Sequence, residues 1–221
     1  MKRHEFNAQQ GVAMLVVLVF TLALTGIAIV SARLALLGES VARNQLDLQV
    51  ARQAAEAALR DAEKDLMIAD ESANFPGAVC KRQGERPVMA QVVQFSEECL
   101  HGQCLPDLEQ RRQVDYTKGA ENIKLAEAWW PEDRGGRWGE PAKGKPSPDD
   151  KTTCTTFTGA VPLGVYTGAK PIQGVAFQPE YLIETILRGE DTYYRVTARG
   201  FGYRAGTEVV LQSYFLVPPL Q

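Results

Sequence analysis

Histidine is nearly missing: there are two in 221 residues, and one of them, His4, stands among the first few. With so little imidazole, a metal centre or a general-base pair built on histidine has few places to form. Also missing are G-x-S-x-G, H-E-x-x-H, the phosphate-binding loop and the dinucleotide fingerprint. An excess of positive charge is missing too. Lys and Arg number 24 against 27 Asp and Glu and are scattered among them, so no clustered basic face exists for phosphates. The acidic groups Asp149-Asp150 and Asp107-Leu108-Glu109 fall in loop-like settings and read as solvated surface. Neither an enzyme, nor a cofactor, nor a nucleic-acid partner is expected.

A long hydrophobic run occurs once. Val12 to Val30 reads VAMLVVLVFTLALTGIAIV, nineteen positions without a charge. At about 1.5 Å per residue a helix of that length covers about 28 Å, close to the roughly 30 Å of bilayer hydrocarbon. Ahead of it lies a polar leader, MKRHEFNAQQG, whose Lys2 and Arg3 favour the cytoplasmic side and place the rest of the chain outside. The competing reading is a cleavable secretory signal, for which Val30-Ser31-Ala32 would serve as the cleavage site and Arg33 as the new start. Its usual apolar region is shorter, about 7 to 15 residues, and the residues after Ala32 do not look like the start of a separate domain.

From Arg33 to Ala69 there is no proline and one glycine, Gly38. Leu34, Val41, Leu48, Ala55, Ala62 and Ala69 form one helical column, with Leu37, Ala51 and Ala58 beside it and Leu59 and Leu66 on its flank. The change from Leu and Val to Ala along this stripe predicts that its lower half packs closely on something broad, such as a sheet. Glu39 with Arg43, Arg43 with Asp47, Arg52 with Glu56 and Glu56 with Arg60 are each four apart and predict ion pairs on the outer face. The two stretches join without a breaker into one predicted helix, Val12 to Ala69, and NFPG at Asn74 to Gly77 stops it. A coiled-coil dimer is the alternative for its amphipathic half, but no second helix of similar length exists to pair with it.

Gly11 before the apolar run, the unbroken amphipathic extension and the string QVARQAAEAALRDAEKDL from Gln49 to Leu66 together resemble a type IV pilin, specifically a minor pilin of the PilX type. The resemblance implies a leader cut after Gly11 by a prepilin peptidase, N-methylation of the new first residue Val12, and an apolar helix that becomes filament core. Pilins usually carry glutamate at the fifth mature position. Here that position is Val16. A carboxylate in hydrocarbon is costly unless paired, so its loss fits a subunit with nothing above it, at the tip of a filament or of its initiating complex.

Past Ala69 the texture changes to loops and short strands. Between Pro131 and Pro148, eight of eighteen residues are Gly or Pro, which predicts an exposed loop. EYLIETILR, TYYRVTARGFG and GTEVVLQSYFLV read as three antiparallel strands, joined by turns at Gly189-Glu190-Asp191 and Arg204-Ala205-Gly206. A further strand is expected around Thr155 to Val161, and Ile183, Val196, Val210 and Leu211 or their neighbours are expected to cover the Ala stripe. YRVTARGFG followed by VVLQSYF also resembles the C-terminal part of PilX-type proteins. The fold class is therefore α+β and pilin-like, a long N-terminal helix packed on a C-terminal antiparallel sheet with long loops. Its parts are a leader (1–11), a membrane or filament-core helix (12–32), its amphipathic continuation (33–69), a loop-rich region with the cysteines (70–154) and the sheet (155–221).

Cys80, Cys99, Cys104 and Cys154 all lie on the side that should be oxidising, where disulfides form. Three pairings are possible; the favoured one joins Cys99 to Cys104 around His101 and Gly102, and Cys80 to Cys154. A zinc site on Cys99, His101 and Cys104 is the alternative, with a spacing that matches none of the usual paired knuckles. Trp129, Trp130 and Trp138 flank the Gly/Pro loop either as anchors for a protein or glycan partner or as core beneath the loop.

As a family member the chain is expected to prime type IV pilus assembly and to sit at the tip, supporting adhesion and twitching motility. The partners this implies are other minor pilins, the major pilin, a large tip adhesin, prepilin peptidase and the inner-membrane assembly platform. The expected location is the inner membrane, single-pass with a cytoplasmic N-terminus and a periplasmic C-terminal domain, and then the pilus. Two alternatives remain open: a minor pseudopilin of a type II secretion system, and a membrane-anchored periplasmic binding module.

Overall fold

The computed structural model describes residues 10–67, 75–82, 95–96, 98–105, 127–131, 136–138, 153–188 and 191–216. The chain falls into two compact units, Met1–Leu46 and Asp47–Gln221. Helix α1, Gln10–Met67, runs without a break for 58 residues, as the absence of proline and the alanine-rich composition favour. It begins two residues before the expected start. The leader residues Lys2, Arg3 and His4 and the stripe's last position, Ala69, lie outside the described residues.

In the first unit every residue from Val12 to Leu46 is exposed, the upper stripe Leu34, Leu37 and Val41 included. This helix is long and apolar enough to cross a membrane.

The second unit is an α+β head. Its sheet contains β1 (Gln103–Cys104), β2 (Val161–Pro162), β3 (Glu180–Arg188), β4 (Asp191–Phe201) and β5 (Glu208–Leu216), in the order β1-β3-β4-β5 with β2 also on β3. The three long strands are the expected antiparallel meander. The sheet is mixed, not purely antiparallel, because β1 runs parallel to β3. The strand expected around Thr155 to Val161 shrinks to β2; before it come a 3-10 turn at Thr153–Thr155 and an isolated bridge from Thr158 to Leu100. The Arg204-Ala205-Gly206 turn closes the β4–β5 hairpin, and Gly189-Glu190 lie outside the described residues.

Ala51, Ala54, Ala55, Ala58, Ala62 and Leu66 of α1 are buried, and the lower of them join one core with Tyr181, Ile183, Tyr194, Val196 and Ala198 of the sheet. Small side chains let the backbones come close. At Gly200 of β4 an added Cβ would fall on the Ala55 nitrogen and the Ala51 carbonyl oxygen, so only glycine admits the helix there. Val210 corrects the expected apolar face: it is exposed, while Val209, Leu211 and Phe215 are half-buried. Side chains alternate along a strand, and Ala198↔Leu211 and Tyr194↔Phe215 place the odd-numbered β5 residues on the helix side.

Candidate functional site

Two surfaces carry the chemistry of the chain, the apolar end of α1 and the head that grips its other end. On the first, Gly11, Val12 and Val16 all lie within the helix, with Val12 and Val16 exposed. The only polar side chains between Val12 and Val30, Thr21 and Thr25, donate back to the carbonyls of Val17 and Leu18 and of Thr21 and Leu22. Their hydroxyls therefore do not interrupt the apolar surface.

The head holds α1 through three buried carboxylates, Asp47, Asp61 and Asp65. Asp47 does not make the expected pair with Arg43. Instead its oxygens accept from the Tyr203 N–H (2.6 Å), the Thr207 hydroxyl (2.7 Å) and Arg204 Nε (3.0 Å) of the β4–β5 turn. Several hydrogen bonds in a closed site outweigh one exposed pair worth a few tenths of a kcal/mol. The bond from Thr207 leads in holding this carboxyl below its ordinary range. The other predicted pairs, Glu39–Arg43, Arg52–Glu56 and Arg60–Glu56, form on the exposed face.

Asp61 accepts from the Gly164 N–H (2.7 Å) and from the Thr167 hydroxyl; burial dominates and pushes its carboxyl up, partly offset by those bonds. Asp65 takes the Arg82 guanidinium and the Tyr181 hydroxyl (2.9 Å). Burial works against the charge on Arg82, but Asp65 more than compensates and keeps it protonated. Arg82 also lies over the Tyr166 ring at 4.0 Å and donates to the His101 carbonyl (2.9 Å). Burial drives the Tyr166 phenol up to about 12, so this phenol stays protonated near neutrality.

The sheet face away from α1 is capped by the loops. Cys99–Cys104 and Cys80–Cys154 are both disulfides, the favoured pairing, which leaves no thiolate for the zinc alternative. Within the small ring Cys99, His101 and Gly102 adopt positive φ, the backbone bending sharply enough for Gly102 to accept from the Ile183 N–H (2.8 Å). A second core gathers Cys99, Cys104, Trp138, Ala160 and Leu182, with Trp129 packed at its side.

Trp138 is buried and donates through Nε1 to the Trp129 carbonyl (2.7 Å), so it serves as core and not as a partner contact. Trp129 and Trp130 are half-buried, edge to face at 6.5 Å. Beneath this cap Arg195 bridges Glu184 (2.7 Å) and Glu127 (2.8 Å), while Arg199 pairs with Glu180 and lies between the Trp138 and Phe201 rings, 5.0 Å from each.

Local sequence patterning does not reveal these buried charges. A signal for Asp61 and Asp65 exists, since both fall on the alanine stripe, where an acidic residue has no business unless a distant partner meets it. Among the described residues no group of His, Cys, Asp and Glu could hold a metal ion. Asp107, Glu109, Asp149 and Asp150 lie outside them, as does most of the stretch from Pro131 to Pro148.

Residues 108–217, about half the chain, match the family profile described as type IV pilus assembly protein PilX C-term. No curated protein and no solved structure matches. The matched span contains β3, β4 and β5, the part of the sheet that α1 packs on. With that domain behind a long apolar N-terminal helix, the chain belongs to the PilX family of type IV pilus assembly proteins, as a PilX-type pilin.

Proposed function

We propose that this pilin is a minor subunit that primes assembly of the type IV pilus and stays in its tip complex, supporting adhesion and twitching motility. The observation that carries the reading is the joining of a PilX-type head to a helix whose apolar half is fully exposed. Such a surface requires either a bilayer or a bundle of similar helices. The subunit waits in the inner membrane with its N-terminus cytoplasmic and its head periplasmic. Cleavage between Gly11 and Val12 by prepilin peptidase, followed by N-methylation of Val12, releases it to the assembly platform. Its helix then exchanges lipid for the helices of the major pilin and other minor pilins. Val16, in the place of the usual glutamate, leaves the subunit without a carboxylate to offer a neighbour above it. A tip adhesin is the partner for the exposed side of the head, with Trp129 and Trp130 as candidate contacts.

The mass of the mature N-terminus tests the processing. A methylated Val12 is expected; a start at Arg33 or an intact Met1 refutes it. Deletion should abolish twitching and leave exoprotein release unchanged, and the reverse would place the chain in a secretion system. Val16→Glu should reduce tip enrichment, and unchanged piliation with unchanged tip enrichment would refute the role of the missing carboxylate.

A further inference from the structure

Among the described residues, one long edge of the sheet is open. The far side of β3 carries β1 and β2, whereas β5 pairs with β4 alone. Two bonds fix the direction of its backbone groups. The Gly202 N–H donates to the Thr207 carbonyl (2.9 Å), so the even-numbered residues of β4 aim their amides at β5. The Ile183 N–H donates away from β4, to the Gly102 carbonyl, which agrees through the register. Gly200↔Val209 and Ala198↔Leu211 then turn the backbone groups of Val209, Leu211, Ser213 and Phe215 inward. Those of Glu208, Val210, Gln212, Tyr214 and Leu216 point out of the sheet, a row of N–H and C=O groups with the spacing of a strand.

Natural sheets defend such an edge with lysine, proline, a bulge or shortness. None of these is present. The strand is nine residues long, its register with β4 is unbroken, and EVVLQSYFL contains no Lys, Arg or Pro. Its one charge, Glu208, lies 3.7 Å from Arg199 at the turn end. Beyond it Tyr214 and Leu216 are 60% and 55% exposed, large apolar groups on an edge in contact with water.

We infer that β5 is a docking edge that receives an extended segment of another pilus subunit as an added strand. The backbone row selects an extended chain over a helix. The absence of charge from Val209 to Leu216 selects a segment that is itself uncharged, apolar where it meets Leu211 and Phe215 on one face and Val210, Tyr214 and Leu216 on the other. A second copy of this chain fits poorly. Two copies joined β5 to β5 in one continuous sheet are related by a two-fold axis normal to it, so the α1 helices laid on the two sheets point in opposite directions. Subunits whose heads stand the same way up in one pilus cannot meet that way, and the occupant is a different subunit. This inference rests on the pilin reading above.

The test uses the full chain in cells that make the pilus, with the photoreactive residue benzoylphenylalanine at Tyr214 and, as control, at exposed Lys170. Ultraviolet light should join the Tyr214 probe to another pilus subunit, identified by mass spectrometry, and the control should give no such adduct. Val210→Pro removes an outward N–H without touching the β4 ladder and should abolish the adduct. Val210→Lys, which keeps the backbone, should do the same and covers the case in which the proline variant does not fold. No adduct, an adduct to a second copy, to the chain itself or to a non-pilus protein, or an adduct that survives Val210→Lys overturns the inference. Leader cleavage and recovery in sheared pili are read on the same cells. If these are lost for the unprobed chain, the pilin reading fails; if they are intact and the adduct is missing, only the docking edge fails.

Discussion

Gly200→Ala adds a single methyl group where the head and α1 come closest. The added Cβ falls on the Ala55 nitrogen and the Ala51 carbonyl oxygen, the donor and acceptor of one helical hydrogen bond, and neither can rotate away. To reach ordinary contact the helix and sheet must part by about 1 Å over the surrounding alanines, and a gap of that size forfeits up to about half of each dispersion contact along the seam. Overpacking of this kind costs about 1–3 kcal/mol. Alanine regains about 0.5–1 kcal/mol over glycine through its lower backbone entropy in a strand. The net expectation is a loss of about 1 kcal/mol, or about 2–4 °C in Tm for a unit of this size.

The assay is thermal and urea unfolding of the detergent-solubilised chain, followed by the fluorescence of its tryptophans, of which Trp138 is buried in the head. Gly206→Ala is the control, since a Cβ there meets nothing within 4 Å, and it should stay within about 0.5 kcal/mol of the parent. A second control discriminates further. Ala55→Gly removes a side chain but leaves the obstructing backbone in place, so it should not rescue Gly200→Ala. Full stability of Gly200→Ala, or its rescue by Ala55→Gly, would refute the account of the close approach.

Replacing both cysteines of Cys80–Cys154, which are 74 residues apart, should cost about 4–5 kcal/mol by loop entropy, against about 2 kcal/mol for Cys99–Cys104, 5 apart; comparable shifts in urea midpoint for the two pairs would contradict this. Glu184→Ala takes one of its two carboxylate partners from the buried Arg195, leaving it Glu127, and should cost about 3 kcal/mol in the same titration, the low end for breaking a buried pair. Joint replacement, Glu184→Leu with Arg195→Met, should cost less than the single change. Burial holds the His101 imidazole below its ordinary value of 6.5. The unfolded chain thus binds this proton first, and stability should be full above pH 6.5 and fall as the pH drops through it. His101→Gln should remove that slope, and an identical slope in the variant would assign it elsewhere.

Much of this fold is legible in the sequence wherever a repeating pattern outlasts several turns or residues. The alanine column from Ala51 to Ala62 announces a close-packed face, and the alternation in β3, β4 and β5 announces the meander. The features that escape depend on partners far away in the chain. Four-residue spacing assigns Asp47 to Arg43 because that rule is local, while its true partners lie 156 to 160 residues on. Strand β1 is two residues long, too short for any period, and its parallel run along β3 is set by the disulfide ring around it. Val210 falls on the face opposite to the one expected because EVVLQSYFL has apolar residues on both, and register alone decides which side meets the helix. Both faces being apolar is also what makes β5 unusual as an edge.

The buried carboxylates answer a difficulty that the alanine stripe creates. A face of Ala51, Ala54, Ala55, Ala58 and Ala62 is nearly featureless, so sliding α1 by one turn along the sheet would exchange one alanine for another at little cost in apolar contact. Hydrophobic burial alone therefore holds the helix down without specifying where. Asp47, Asp61 and Asp65 break that degeneracy, each meeting a different part of the head: the β4–β5 turn, the Gly164–Thr167 loop, and Arg82 with Tyr181. A shift of one turn would separate all three from their partners at once and leave buried charge uncompensated, the most expensive fault a protein interior can hold. Alanines permit the close approach and carboxylates fix the register.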